Sequence, residues 1–481
     1  MQQTEQNPLG TQPIGKLILK FAIPGVISLL VNSLYNIVDQ IFIGHDIGYL
    51  GNGATNVIFP ITVIALSVAL MVGDGAAAFF SIKMGEGNRD EGRRCLGNAI
   101  TVLAVLSALF LLLGVIFIDP LVTLFGATEK IHPYALDYGF IIVLGLPFMI
   151  MSTGINAMIR ADGSPHYAMS SMILGAVINT IFDPIFIFGF GWGIKGAALA
   201  TILGQMASFL LSLAYLKRFR NVSLTKASFK PNAQLTATAF RYGMSSFVTQ
   251  FTLVIVIAVN NNLLTTYGAQ SIYGAEIPLT ALGIVMKVNQ ILLSIMVGIG
   301  IGSQPIAGFN FGAGNYSRVK RTYEISVIAA TIVNVLGFLC FQFFPQAIVN
   351  LFGSEEGLYN DFACLCFRIY LALTFTYGFQ VVSGIFLQSL GKAVKSTLLS
   401  LSRQILFFLP VTVLFAVTMG VEGMLWARPV ADVLVTVLTF ILLVPELKKL
   451  KSALPEKTRE LVRESIDNSL ENQLVSGVKR L

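Results

Sequence analysis

From Leu17 to about residue 444 no stretch of more than about 40 residues lacks an apolar run long enough to cross a lipid bilayer. Such a run has to be helical, because the hydrocarbon offers no water to satisfy free backbone groups. Hydropathy places spans near 17–44, 54–82, 96–118, 134–158, 167–190, 194–216, 240–266, 277–308, 323–344, 362–388, 397–418 and 421–444. The chain reads as an all-α polytopic membrane protein of twelve transmembrane helices. Composition agrees: 55% of the 481 residues are hydrophobic and 12% charged, which at about 22 apolar residues per span is material for roughly twelve. A soluble enzyme, or a soluble domain on one anchor, is excluded. No cleavable signal peptide is expected, since Met1 to Gly15 is polar with Glu5 its one charge, and the first apolar run is too long for a signal core.

The net charge of +7 suggests nucleic acid until its distribution is considered. Basic residues gather in alternate connections: Lys16 and Lys20; Lys83, Arg89, Arg93 and Arg94; Arg160; the run from Lys217 to Arg241; Arg318, Lys320 and Arg321; Lys392 and Lys395. The intervening connections hold Lys130 and Lys195. This positive-inside pattern puts both termini in the cytoplasm and points to a cell (plasma or inner) membrane, with lipid rather than nucleic acid as the surrounding partner. Cys95, Cys340, Cys364 and Cys366 show no paired spacing, so neither a disulfide nor a zinc site is expected.

An internal repeat organises the spans. Met84-Gly85-Glu86-Gly87-Asn88 recurs as Phe311-Gly312-Ala313-Gly314-Asn315, a spacing of 227 residues. The same spacing carries Leu124-Phe125-Gly126 onto Leu351-Phe352-Gly353, and Gly193-Ile194-Lys195-Gly196 onto Gly420-Val421-Glu422-Gly423. A duplicated six-span unit follows. Because six is even, the halves share one orientation and are related by an axis along the membrane normal, giving two pseudo-symmetric six-helix lobes around a central cleft. The expected segments are a cytoplasmic N-terminus over 1–16, an N-lobe over 17–216, a basic linker over 217–239, a C-lobe over 240–445 and an amphipathic cytoplasmic tail over 446–481.

Ionisable residues at bilayer depth cost roughly 2.5–3.5 kcal/mol on insertion scales, so each needs a partner, water or a function. Asp39 lies about five residues, or roughly 8 Å, below the outer end of span one. Asp183 sits at a matching depth in span five, Asn179 one turn further in on the same face, and Thr201 about eight residues into span six. Two carboxylates, an amide and a hydroxyl are hard donors suited to a small monovalent cation or a proton. Asn32, Tyr35, Asn36 and Asp39 form a polar stripe along span one, which reads as cavity lining. The second half does not repeat the cluster, since Asn179, Asp183 and Thr201 map to Leu406, Pro410 and Arg428. Arg428 stands four residues before Asp432, the spacing of an intrahelical ion pair. In Gly73-Asp74-Gly75 the glycines read as close helix packing and Asp74 as a possible gate nearer the cytoplasm.

Twelve spans in two parallel halves, Val38-Asp39, Asn179 through Asp183-Pro184, and Gly196-Ala197-Ala198 to Thr201 together resemble the multidrug and toxic compound extrusion (MATE) family, in its MepA-like branch. The resemblance covers about residues 15–445. It implies export of amphipathic, often cationic, drugs and dyes by alternating access, in exchange for Na+ or H+ and with no other cofactor. The site it implies comprises Asp39, Asn179, Asp183 and Thr201, where Na+ could sit, with the backbone carbonyl of Ala197. Tyr138 and Asn156 match further members of that network, although 18 residues of helix, roughly 27 Å, separate them and only one can lie at the site's depth. Gln250 to Asn262 contains no carboxylate, so the acid that another branch carries in span seven is missing. A monomer is expected. The rivals are a lipid-linked sugar flippase, disfavoured by acidic rather than basic residues in the first lobe, and an intramembrane transferase, disfavoured because His45, His132 and His166 all lie at span ends.

Overall fold

The computed structural model describes residues 7–274, 276–350 and 357–452. Nine helices run as expected: α1 Ile14–Ile47, α2 Tyr49–Gly85, α3 Arg89–Leu124, α4 His132–Ala161, α5 Pro165–Pro184, α6 Gly193–Tyr215, α7 Ala233–Gly268, α8 Glu276–Gly312 and α9 Tyr316–Phe343. Span ten, α10, is broken. Leu358–Tyr370 and Thr374–Ser389 meet at 50°. Beyond it Ala393–Leu450 is helical for 58 residues, about 87 Å and nearly three bilayer cores. Gly420 divides this stretch with φ 68°, a left-handed conformation that glycine adopts without strain. The part before Gly420 is α11, which widens to a π-helix over Ser402–Phe408, and the part after it is α12. Twelve spans result, with no strand among the described residues.

α1–α6 and α7–α12 form two lobes with two apolar cores, the C-lobe core taking in Leu17, Ile18, Phe21 and Ala22 of α1 and the N-lobe core Ala239 of α7. The lobes meet through α1 against α8, α2 against α7, and α2 against α8. The repeat explains the last contact. A Cβ at Gly85 would stand 1.9 Å from the Phe309 carbonyl oxygen, and one at Gly312 would stand 2.0 Å from that of Ile82. Ile82 and Phe309 are themselves one repeat apart, so the contact is its own image across the pseudo-twofold axis, and both glycines are required by backbone approach. Gly75 against Ala239 and Gly243 against Met71 seal α2 to α7 in the same way, at 1.9 and 1.7 Å. All of this seam lies toward the basic face, the side carrying Lys83, Arg93 and Arg318.

Expected boundaries shift at three places. α7 starts at Ala233, so the linker is shorter than 217–239. It is also a packed strap: Asn98 accepts from the Asn232 N–H at 2.7 Å, and the buried Asp162 carboxylate accepts from the Arg220 and Asn221 N–H groups at 2.7 and 3.0 Å. Burial pushes the Asp162 carboxyl above its ordinary range, with these donors pulling the other way. The N-terminal segment docks across the basic face. Its Leu9 carbonyl accepts from Asn310 and Arg318 of the C-lobe, while Asn7 donates to Asn221 of the strap. At the other end α12 continues past residue 446 to Ser452, and Glu446, buried, pairs with Lys395 at 2.7 Å. The amphipathic tail expected beyond that point, 453–481, lies outside the described residues.

Candidate functional site

Two glycines bring the acidic cluster of the N-lobe together. Gly175 of α5 and Gly204 of α6 oppose one another's carbonyls, at 2.8 and 2.4 Å from where a Cβ would be. That closeness lets the next turns touch. The Asn179 amide nitrogen lies 3.3 Å from both Asp183 Oδ1 and Thr201 Oγ1. Ala197, fully buried, stands one turn from Thr201 on the same face of α6. Pro184, following Asp183, withholds the N–H that the Thr180 carbonyl would accept, and α5 widens into a π-helix over Ile185–Gly189, a local distortion common at functional positions.

Asp39 enters from α1, its carboxyl at hydrogen-bonding range of Asp183. The matching depths read from chain direction therefore correspond to a direct contact. Tyr35 and Tyr138 lie close enough to both acids to feel their charge. Asn156 does not belong here: its amide lies 3.5 Å from Ser171 Oγ, within a serine cluster with Ser208 and Ser212 far along α4. Of the two candidates on α4 only Tyr138 reaches the site, as helix rise demands. The polar stripe of α1 splits between two environments. Tyr35 and Asp39 turn into the lobe, whereas Asn36 is exposed and bonds back to Asn32 at 2.7 Å.

The cluster is short of donors. Asp39 Oδ1, Asp183 Oδ2 and Asn179 Oδ1 are buried without a hydrogen-bond partner. Three acceptor oxygens left bare in one low-dielectric site are costly unless a cation or proton joins them. The site chemistry thus fits Na+ or H+.

Asp74 sits on the seam between lobes. It accepts from Ser246 of α7 at 2.9 Å and faces Arg160 at 3.7 Å, while Gln388 of α10 donates to Ser246 at 3.1 Å. These partners were not apparent from sequence, where only the flanking glycines signalled a contact. The C-lobe position equivalent to Thr201 holds Arg428, whose Nε lies 3.2 Å from Asp432, with the rings of Tyr370, Tyr377 and Phe408 within 6 Å of its guanidinium. Arg403 stacks on the same Tyr377 at 4.9 Å.

A family model, MatE, matches residues 24–185 and 257–414, covering both lobes. The chain belongs to the MatE family, the MATE transporters. Curated relatives of this MATE protein include a protein of Shewanella oneidensis named "FAD transporter", 26% identical over 91% of this chain and 96% of the relative. Another is "Multidrug export protein MepA" of Staphylococcus aureus, 23% identical over 87% of this chain and 91% of that one. A solved structure described as the MATE multidrug transporter DinF-BH superposes with a TM-score of 0.85 at 34% identity, covering 92% of this chain and 98% of that one. A MATE transporter solved in an outward-facing conformation gives a TM-score of 0.86 at 21% identity, over 93% and 99% of the two chains. The MATE chain is a membrane transporter and not an enzyme.

Proposed function

We propose that this MATE protein is a secondary active antiporter, exporting amphipathic and often cationic organic compounds from the cell in exchange for Na+ or H+. The bare oxygens of Asp39, Asn179 and Asp183 carry the reading. Two ionised carboxylates in contact repel, so the site either draws in Na+ or holds a proton between the pair. Thr201 Oγ1 and the Ala197 carbonyl complete the donor set for Na+. The Lys and Arg content of the basic face supports a cytoplasmic orientation for it, and the proposal takes the transporter as a monomer in the lipid of a plasma or inner membrane.

Binding at Asp39 acts on the cleft through α1, because Asn36 and Asp39 lie on adjoining faces of one helix. A relative named FAD transporter favours a second reading for the cargo, an anionic flavin dinucleotide. The test is dye efflux from proteoliposomes under a Na+ gradient and a H+ gradient imposed separately. Efflux driven by either supports antiport. Efflux indifferent to both overturns it.

A further inference from the structure

Lys287 is a cation at membrane depth whose role the acidic site does not explain. It lies about ten residues, roughly 15 Å, inside the end of α8, is exposed, and has no carboxylate within salt-bridge distance among the described residues. Such a charge cannot face lipid cheaply.

Its register shows where it faces. Ser294 of α8 meets Ser33 of α1, Oγ to Oγ, at 3.2 Å. Lys287 is seven residues from Ser294, on the same side of the helix. Gln290 between them and Thr280 beyond share that side and are exposed, and a Cβ at Gly283 would meet nothing within 4 Å. The opposite side of α8, with Val285, Leu292 and Met296, is buried in the C-lobe core. Across the gap α1 continues outward from Ser33 with Asn36 and Gln40, at spacings of three and seven, both exposed. Lys287 and Gln290 therefore stand on one wall of the interlobe cleft, with Asn36 and Gln40 on the other. The exposed Lys287, Gln290, Asn36 and Gln40 are polar, with Ile291 exposed beside them, and the one charge among these described side chains is positive.

We propose that Lys287 with Gln290, Asn36 and Gln40 forms a subsite in the cleft for an anionic group, a carboxylate or phosphate, on an otherwise amphipathic substrate. This rests on the exporter reading and refines its substrate class: a compound carrying an acid beside an aromatic body is held better than the same body without it. The ammonium pairs with the anion, the Gln290 and Gln40 amides donate to its remaining lone pairs, and Asn36 joins them by giving up a bond to Asn32. The water-filled cleft makes the pairing worth a modest factor rather than orders of magnitude.

Two matched pairs of probes test it: a rhodamine ethyl ester against its free acid, and riboflavin against its monophosphate. Equilibrium binding to purified protein in nanodiscs of zwitterionic lipid is measured by fluorescence anisotropy. The acid or the phosphate is expected to bind about 3- to 10-fold tighter than its partner. Lys287→Ala should erase that preference while leaving ester or riboflavin binding unchanged, Lys287→Arg should keep it, and Lys287→Glu should reverse it. Which pair shows the effect tells carboxylate from phosphate. Equal affinities within both pairs, or a preference surviving in Lys287→Ala, overturn the subsite alone. If none of the four probes binds, the exporter reading falls with it.

Discussion

Ser33 of α1 and Ser294 of α8 touch at 3.2 Å at the level where the two lobes part. On the basic side of this pair the lobes are joined backbone to backbone at Gly25 and Gly298, Gly75 and Ala239, and Gly85 and Phe309. On the other side the facing positions are exposed. The serine pair thus sits at the floor of the cleft, and the antiport proposed above, run by alternating access, requires it to separate.

A cysteine pair tests this. In a background lacking the four native cysteines, Ser33→Cys with Ser294→Cys should form a cross-link that stops transport, and reduction should restore it. Adding Gly243→Ala, whose Cβ would stand 1.7 Å from the Met71 carbonyl oxygen, should slow cross-linking and lower the melting temperature, since overpacking of this kind costs about 1–3 kcal/mol. Cross-linked protein with full transport would show that the lobes do not move here.

Asp39→Asn and Asp183→Asn should each abolish gradient-driven efflux with expression retained, because removing a charge relieves an insertion cost. Dye and coupling ion should also compete reciprocally in the wild type, each lowering the other's affinity by one factor. Titrating dye binding across Na+ concentration and pH measures that factor, and an identical affinity under all conditions would exclude a switch at this pair.

Arg428→Thr restores the residue found one repeat earlier. It removes the ion-pair partner of the buried Asp432 carboxylate, leaving Arg403 as the nearest other charge acting on it, so stability should fall by up to about 3–5 kcal/mol, read by denaturation in detergent. The Na+ or H+ dependence of residual efflux should not change, since Leu406 and Pro410 supply no donors there. A changed ion dependence would mean that the C-lobe takes part in coupling.

Asp74→Asn keeps the shape of the seam but removes the charge facing Arg160 and weakens the bond from Ser246, while Ser246→Ala removes that bond and the one Ser246 accepts from Gln388. Both should reduce turnover several-fold and leave equilibrium dye affinity within a factor of two, as expected for a contact that must break in each cycle. The measurement is initial efflux rate beside binding. An affinity loss as large as the rate loss would place Asp74 in the substrate site.

Periodicity and charge counting were enough to establish twelve spans, two parallel lobes and a shared depth for Asp39 and Asp183. Each depends on a property the chain carries locally: apolar length, basic loops, and a fixed rise per helical residue. The repeat also set Gly85 and Gly312 at equivalent positions, but only the structure shows that each meets the backbone of the other lobe, whereas the equally duplicated Gly87 and Gly314 meet nothing within 4 Å. Tertiary structure alone decided which side of α1 each polar residue takes, so that Asp39 enters the lobe while Asn36 faces the cleft. It decided that Tyr138 and not Asn156 lies near the acids, that Asp74 bonds across to Ser246, and that Lys287 stands on the exposed side of α8 rather than in the lobe core. These follow from how helices rotate and pack against partners distant in sequence, and helical spacing says which residues share a face but not what that face meets.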